Sequence, residues 1–276
     1  MVSRRKWSDF VVLGLAIIGA LLVIVPFLLI LVNSFKSPVD YANNGPISLP
    51  TSIYLDGIGA FWQRVDFPQK LWNSILISSL VAVFAVLVSV LNAYAIGIGR
   101  VRGRTWIIIL FLVANTIPQE ALLYPLYFIF KEVGLYDNVW AVIIIFTVIQ
   151  SAFGTYLLSS VYGTFPKEIL EAAALDGATR FQILWRVIVP ISRPTLSVLL
   201  VFFFIWTWNE FLIPLTFLVS NDNQTVPVAI ATLQGERLMD VTTTSASALL
   251  GLIPTLVFFL IFQRTLTRGI TAGAVK

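Results

Sequence analysis

Residues 164–194 read TFPKEILEAAALDGATRFQILWRVIVPISRP, a polar island between two long apolar runs. Pro166 suits the first turn of a helix, where its missing N–H costs nothing, and Glu168 and Glu171 put negative charge near the positive N-terminal end. A helix is therefore expected from about Pro166. Ala172, Ala173 and Ala174 are strong helix formers without bulk, so another surface can approach this backbone closely. Asp176-Gly177 predicts a turn, because Gly accepts a positive φ and Asp can bond its own neighbouring backbone. Beyond it Phe181, Leu184, Trp185 and Ile188 recur at helical spacing, and Pro190 and Pro194 are expected to end that second segment. The island thus reads as helix, turn and helix outside the bilayer, a place where something else touches the chain. Without a partner, the same pattern describes an amphipathic helix resting on lipid headgroups.

Composition sets the class. Of 276 residues, 58% are hydrophobic and 12% charged, against about 45–50% and about 25% in a soluble domain. The chain has neither Cys nor His, which excludes disulfides, thiolate or imidazole metal sites and Ser-His or Cys-His nucleophiles. No catalytic or metal residue is assigned. Six stretches, roughly 10–32, 71–96, 105–130, 138–161, 194–219 and 241–263, approach the run of about 20 apolar residues that a hydrocarbon core requires. The fold class expected is an all-α membrane protein. The first stretch exceeds the roughly 7–15 residues of a signal-peptide core and runs into Asn33-Ser34-Phe35-Lys36 without a small-residue cleavage pattern, so it reads as a retained anchor. The outer segment after it carries Tyr41 to Pro46 as loop chemistry, with Phe61 and Trp62 as interface anchors.

Six spans put both termini on one side. Arg4, Arg5, Lys6, Arg100, Arg102, Arg104, Lys167, Arg180, Arg186, Arg193, Arg264, Arg268 and Lys276 then share that side, leaving Lys36, Arg64, Lys70, Lys131 and Arg237 opposite. This 13-to-5 division of the basic residues makes the first side cytoplasmic. The net charge of +4 is thereby a matter of topology, with no nucleic-acid partner implied. The polar island faces the cytoplasm.

A phosphate-binding loop needs a Gly-rich turn leading into Lys and Ser or Thr, and none of the six lysines follows a Gly. ATP hydrolysis is therefore not expected to reside in this chain. Within the spans the acids are Glu120 and Glu210, and an ionisable group at bilayer depth is a functional candidate by default. Each lies about 22–24 Å along its helix from the cytoplasmic start, at a depth that lets the two share one vestibule. Trp206 precedes Asn209 by three residues and Glu210 by four, on a common helical face. Carboxylate, amide and indole together suit a sugar, which offers hydroxyls and C–H faces. The structural alternative makes Trp206 and Trp208 interface anchors and the acids polar contacts between helices. Pro118, Pro125 and Pro214 are expected to interrupt their helices near this depth, where freed carbonyls are tolerated only inside protein or a wet cavity.

Glu171-Ala172-Ala173, Asp176-Gly177-Ala178 and Pro190, with Trp208-Asn209-Glu210-Phe211-Leu212 and Thr271 to Lys276, resemble the permease subunits of ATP-binding-cassette importers. Among these the chain is similar to the carbohydrate-uptake type, as in the second, six-span membrane subunit of the maltose transporter. Val189 stands where the family often has Leu. The resemblance implies a type I importer permease fold: a cytoplasmic N-terminus over 1–9, a six-helix domain over 10–266 with a coupling loop at 162–193, and a cytoplasmic tail over 267–276. It implies that Glu168, Glu171, Ala172, Ala173, Leu175, Asp176, Gly177 and Ala178 form the contact with an ATPase, Glu171 accepting a salt bridge or hydrogen bonds from it. The partners implied are a second homologous permease, two ATPase subunits that hold ATP and magnesium, an extracytoplasmic solute-binding protein and membrane lipid. The chain itself binds no cofactor in this reading, and its location is the prokaryotic cell membrane. Rival readings are the same machine for glycerol phosphate or another small solute, an ion-coupled secondary transporter using the two acids, and a scaffold or sensor that transports nothing. An anion sits poorly beside Glu120 and Glu210, and no inverted repeat of the ion-coupled kind is evident.

Overall fold

The computed structural model describes residues 7–99, 101–235 and 240–274. Arg4, Arg5, Lys6, Arg100, Arg237, Val275 and Lys276, which enter the charge count or the expected tail, lie outside the described residues. Regular structure among the described residues is helical. The first helices are α1 (Trp7–Asn33), α2 (Pro38–Asn44), α3 (Asp56–Arg64), α4 (Phe67–Gly97), α5 (Arg104–Thr116) and α6 (Gln119–Glu132). They are followed by α7 (Val139–Gly163), α8 (Lys167–Leu175), α9 (Arg180–Ile183), α10 (Val189–Asn209), α11 (Leu212–Phe217), α12 (Val226–Gly235) and α13 (Val241–Ala274). Among the described residues five helical runs are long and apolar enough to cross a membrane: α1, α4, α7, the run Arg180–Asn209, and α13. The sixth candidate, α5 with α6, is bent by 94°.

Several local expectations are corrected. Pro118 does break the third span, and the fifth breaks at Glu210, four residues before Pro214 and at the carbonyl its ring cannot serve, but Pro125 lies inside an unbroken α6. The fifth span does not begin at Pro194, because α9, a π-helical turn at Leu184–Ile188 and α10 run on without interruption. In that turn the Val189 N–H donates to the Leu184 carbonyl, five residues back. The widened turn shifts the bonding register just before Pro190, so the missing donor of the ring no longer ends the helix. The break comes at the other end, where Glu210 turns extended (φ −70°, ψ 137°). Tyr41 to Asn44 are helical in α2, started by Ser37, whose hydroxyl accepts from the Asp40 N–H, and stopped at Gly45 with φ 75°. Phe61 is 1% exposed, hence core and no interface anchor. The expected tail after 267 is helical as far as Ala274.

The chain divides into two compact units. The first, Met1–Phe67 with Ile230–Pro254, holds α1 to α3 and the start of α13. Its α1 exposes apolar side chains on every face, the pattern of a helix whose neighbours are lipid or another chain. The fully buried Lys36 ammonium is satisfied locally, donating to the Gly45 carbonyl at 2.7 Å and to Ser48 Oγ at 3.0 Å.

The second unit, Pro68–Ala229 with Thr255–Lys276, contains two hydrophobic clusters. In one, Ala82, Ala85 and Ala93 of α4 meet Leu158 and Tyr162 of α7 and Leu199 and Phe203 of α10. Small residues let the backbones close up: a Cβ added to Gly154 would lie 2.9 Å from Ser89 Cβ and 3.0 Å from Phe203 Cζ. Ser89 Oγ fills the crossing by donating to the Ala85 carbonyl at 2.6 Å. In the other cluster Phe130, Ile143, Phe146, Ile213 and Phe217 pack together. A polar rivet lies beside it. Asp137, at φ 57°, accepts from the Ser220 amide (2.9 Å) and hydroxyl, and Asn223 Nδ2 donates to the Asp137 carbonyl (2.7 Å). Burial alone would raise the Asp137 carboxyl, but the Ser220 and Asn223 bonds outweigh it and hold the group below its ordinary range.

Gly154→Leu has no room at the α4–α7–α10 crossing and abolishes stable protein, while Gly154→Ala lowers the thermal midpoint in detergent; both are read by unfolding of the purified chain. Asp137→Asn costs about 1 kcal/mol, at the low end for bonds to a charged group because the site is partly exposed. Since the folded carboxyl titrates below its unfolded value, wild type enjoys this margin above the ordinary carboxylate pKa and loses it as pH falls through the depressed value. The gap between wild type and Asp137→Asn in unfolding experiments therefore narrows under acid conditions.

Candidate functional site

The polar island folds as helix, turn and helix. Pro166 (φ −58°, ψ 127°) precedes α8, and Glu168 stands in its first turn, opposite the charge of the free amides. The C-terminus closes by main-chain bonds: the Gly177 N–H donates to the Ala174 carbonyl at 3.0 Å and the Ala178 N–H to the Ala173 carbonyl at 3.1 Å. This is the paired six-to-one and five-to-two closure that needs a left-handed residue, and Gly177 has φ 78°. Nothing lies within 4 Å of a Cβ added there, so backbone conformation alone calls for Gly. The sequence reading missed a further device. Thr179 and Gln182 form a capping box, the Gln182 N–H donating to Thr179 Oγ1 (3.3 Å) and the Thr179 N–H to Gln182 Oε1 (2.8 Å). The Thr-x-x-Gln spacing after the turn was a sufficient signal.

Two faces of α8 differ. Leu170, Ala173 and Ala178 pack against the cluster of α4, α7 and α10, and the Tyr94 hydroxyl donates to the Arg180 carbonyl at 3.0 Å, fastening α9 to α4. Glu168, Glu171, Ala172 and Leu175, spaced as one helical stripe, are exposed. Leu175 is 89% exposed. The site residues suggested by the sequence thus divide into supports (Ala173, Ala178), turn formers (Asp176, Gly177) and a displayed face. No bond from the Asp176 side chain contributes to the turn as described, which is main-chain throughout.

The second site is a cavity of about 630 Å³ within the second unit. Ile117 and Gln119, flanking the break between α5 and α6, line it, and so does Glu210 at the break between α10 and α11. Irregular backbone at membrane depth is tolerated where it lines such a space. Trp206 shares the wall with Glu210, its ring meeting Phe153 edge-on at 5.2 Å. Asn209 does not join them: its amide donates to the Ile205 carbonyl at 2.8 Å, and it borders a separate recess with Phe204 and Phe258. Glu120 is exposed at the start of α6 and outside the cavity lining. Gln119, Gln150, Asn92 and Asn115 also line the cavity. The sequence reading passed over these amides by weighing only ionisable groups, although a lone Gln in an apolar run carries the same kind of signal.

A family model described as binding-protein-dependent transport system inner membrane component matches residues 95–271. The trehalose transport system permease protein SugB of Mycobacterium tuberculosis (strain CDC 1551 / Oshkosh) is 32% identical over 277 residues, 100% of each chain. The lactose transport system permease protein LacG of Rhizobium radiobacter is 29% identical over 273 residues, 99% of this chain and 98% of that protein. A chain from a bacterial ABC transporter involved in the import of the acidic polysaccharide alginate superposes with a TM-score of 0.80 at 21% identity, covering 95% of this chain and 99% of its own. Broken spans, helical content and the elements around the polar island are thus those of a type I importer permease. The chain belongs to the binding-protein-dependent transport system inner membrane components, the membrane-embedded permeases of ATP-driven importers.

Proposed function

We propose that this chain carries a neutral carbohydrate across a prokaryotic cell membrane, forming the pathway together with a second permease, and that it performs no ATP hydrolysis itself. ATP and magnesium reside on two partner ATPase subunits, and an extracytoplasmic solute-binding protein delivers the cargo. Both termini and the loop 162–193 face the cytoplasm, in keeping with the distribution of basic residues. The domain runs from 10 to 266.

The observation that carries this reading is the exposed stripe of α8 on a family match that spans the loop. An apolar side chain as exposed as Leu175, next to carboxylates and small alanines, is what a groove on a partner takes up. Glu171 accepts a charged hydrogen bond from the ATPase, and the loop residues Glu168, Ala172, Leu175 and Asp176 complete the contact. The helical run Arg180–Asn209 starts beside this lever and ends at Glu210 in the cavity wall, 30 residues or about 45 Å away. Displacement of the lever by ATPase closure is thereby transmitted to the pathway as motion of one rigid rod. Trp206 and Glu210 handle the sugar within the cavity, with Glu120 and Asn209 at its margins. The relatives that carry lactose and trehalose by name support a carbohydrate cargo.

The test is sugar uptake and ATPase stimulation in proteoliposomes holding all subunits and the binding protein. Glu171→Lys and Gly177→Pro, the latter incompatible with φ 78°, abolish uptake while the chain still inserts. Leu175→Ser leaves expression and thermal stability unchanged and lowers uptake roughly tenfold, as loss of one buried anchor does. Wild-type uptake in all three variants, or uptake without any ATPase, defeats the proposal.

A further inference from the structure

Where α4 ends and α5 begins, a recess of about 430 Å³ opens between these helices and the end of α7. It lies within the second unit and shares no wall residue with the larger cavity. Arg104, the first residue of α5, is the one charged residue in its wall, and no acid faces it there.

The wall is sorted by depth. Arg104 and Thr105 open α5, and Ser160 and Thr164 stand at the end of α7, so polar groups ring the mouth. Ile108 and Ile109, four and five residues along α5 from Arg104, form a floor about 6–8 Å deeper, with Tyr156 one turn deeper than Ser160 on α7. A cation at the mouth with apolar side chains beneath follows the polarity of a bilayer at its headgroup boundary, and basic pockets of this kind between membrane helices take up lipid head groups.

The mouth has donors to spare. The Ser159 and Thr164 hydroxyls are spent on the Tyr156 and Val161 carbonyls, at 2.9 and 2.8 Å. The Arg104 guanidinium and the Thr105 and Ser160 hydroxyls make no hydrogen bond or ion pair among the described residues. A guanidinium offers paired donors that match a phosphate, and neighbouring hydroxyls add to them. Room is present too, since nothing lies within 4 Å of a Cβ added to Gly163 in the same wall. Because no residue of α5 is fully buried, an occupant between α5 and α7 holds a helix that the rest of the chain grips lightly. A free phosphate uses the mouth alone, whereas a phospholipid also covers the isoleucine floor. The cation of a choline or ethanolamine head is repelled by Arg104 and finds no acid in the wall.

We propose that this recess binds one anionic phospholipid, its phosphodiester accepting from Arg104, Thr105 and Ser160 and the start of its acyl chains lying on Ile108 and Ile109, so that the lipid fastens α5 to α7. The site is independent of the cargo and requires only that the chain spans a membrane.

The whole complex, purified in a neutral detergent, is titrated with dioctanoyl phosphatidylglycerol, dioctanoyl phosphatidylcholine or inorganic phosphate while its thermal midpoint is followed. Phosphatidylglycerol raises the wild-type midpoint saturably, phosphatidylcholine requires roughly tenfold more lipid, and inorganic phosphate has no effect. Arg104→Gln and Ser160→Leu, the latter crowding the mouth and removing a donor, each raise the half-saturating phosphatidylglycerol about tenfold, and Arg104→Lys raises it only about threefold. Arg102→Gln, exposed and outside the recess, leaves it at the wild-type value. A wild type indifferent to phosphatidylglycerol, an equal response to both lipids, inorganic phosphate as effective as lipid, or wild-type half-saturation in Arg104→Gln overturns the proposal. So does equal weakening by Arg102→Gln, which would make the effect diffuse attraction between charges, and so does loss of a subunit from the Arg104→Gln complex, which would make the recess a subunit contact. Sugar uptake, measured separately, judges the transport reading, so the two can fail independently.

Discussion

A backbone N–H or C=O in hydrocarbon has no water to turn to, and this one constraint orders the protein. It makes the spans helical, and it restricts where a helix can stop. Within the second unit two spans stop short, α5 at Ile117-Pro118 and α10 at Glu210, and both breaks border the same cavity. The groups released by the breaks stay near polar side chains and space for water. What is a defect in an isolated helix becomes the construction of a site.

The rest of the second unit makes those breaks affordable. α4 and α7 cross at Ser89 and Gly154, close enough that a methyl group added there must displace its neighbours, and α10 lays Phe203 on the same spot. Beside the second cluster, Lys70, Asn73 and Ser74 of α4 bind the segment Asn221 to Val226, and Asp137 binds Ser220 and Asn223. These polar rivets close the loops around α11, so the short helix after the Glu210 break is held by packing and by its neighbours' hydrogen bonds. α8 is held from its inner face, where Leu170 and Ala173 pack on the first cluster, which is why its outer face can carry an exposed leucine without any penalty to the fold.

The π-helical turn joins the polar island to the cavity wall in one piece of secondary structure. Two prolines beyond the island would ordinarily end a helix. The widened turn at Leu184–Ile188 absorbs the first of them, and α9 and α10 become one run from beside α8 to the cavity.

Hydropathy and the length of the apolar runs were enough to place this chain in a membrane, and Glu-Ala-Ala with Asp-Gly-Ala was enough to draw α8 and its turn, because caps, turns and apolar runs depend on neighbours within a few residues. Pro118 could likewise be read as a break. Which prolines spare their helices could not, since Pro190 depends on a bonding register set by the core beneath it and Pro125 on its surroundings in α6. Phe61, taken for an anchor, is buried, with its ring 5.9 Å from that of Phe67. Trp206 and Glu210 meet in the cavity while Asn209, on the same nominal face, turns away because the helix ends there. The partner of the buried Gln150 amide nitrogen was beyond any local pattern, for it is Thr207, 57 positions on, packed against it with its own proton committed to the Phe203 carbonyl. Sequence decides what short stretches prefer, and tertiary packing decides which polar atoms find partners, since that accounting closes only when every neighbour is in place.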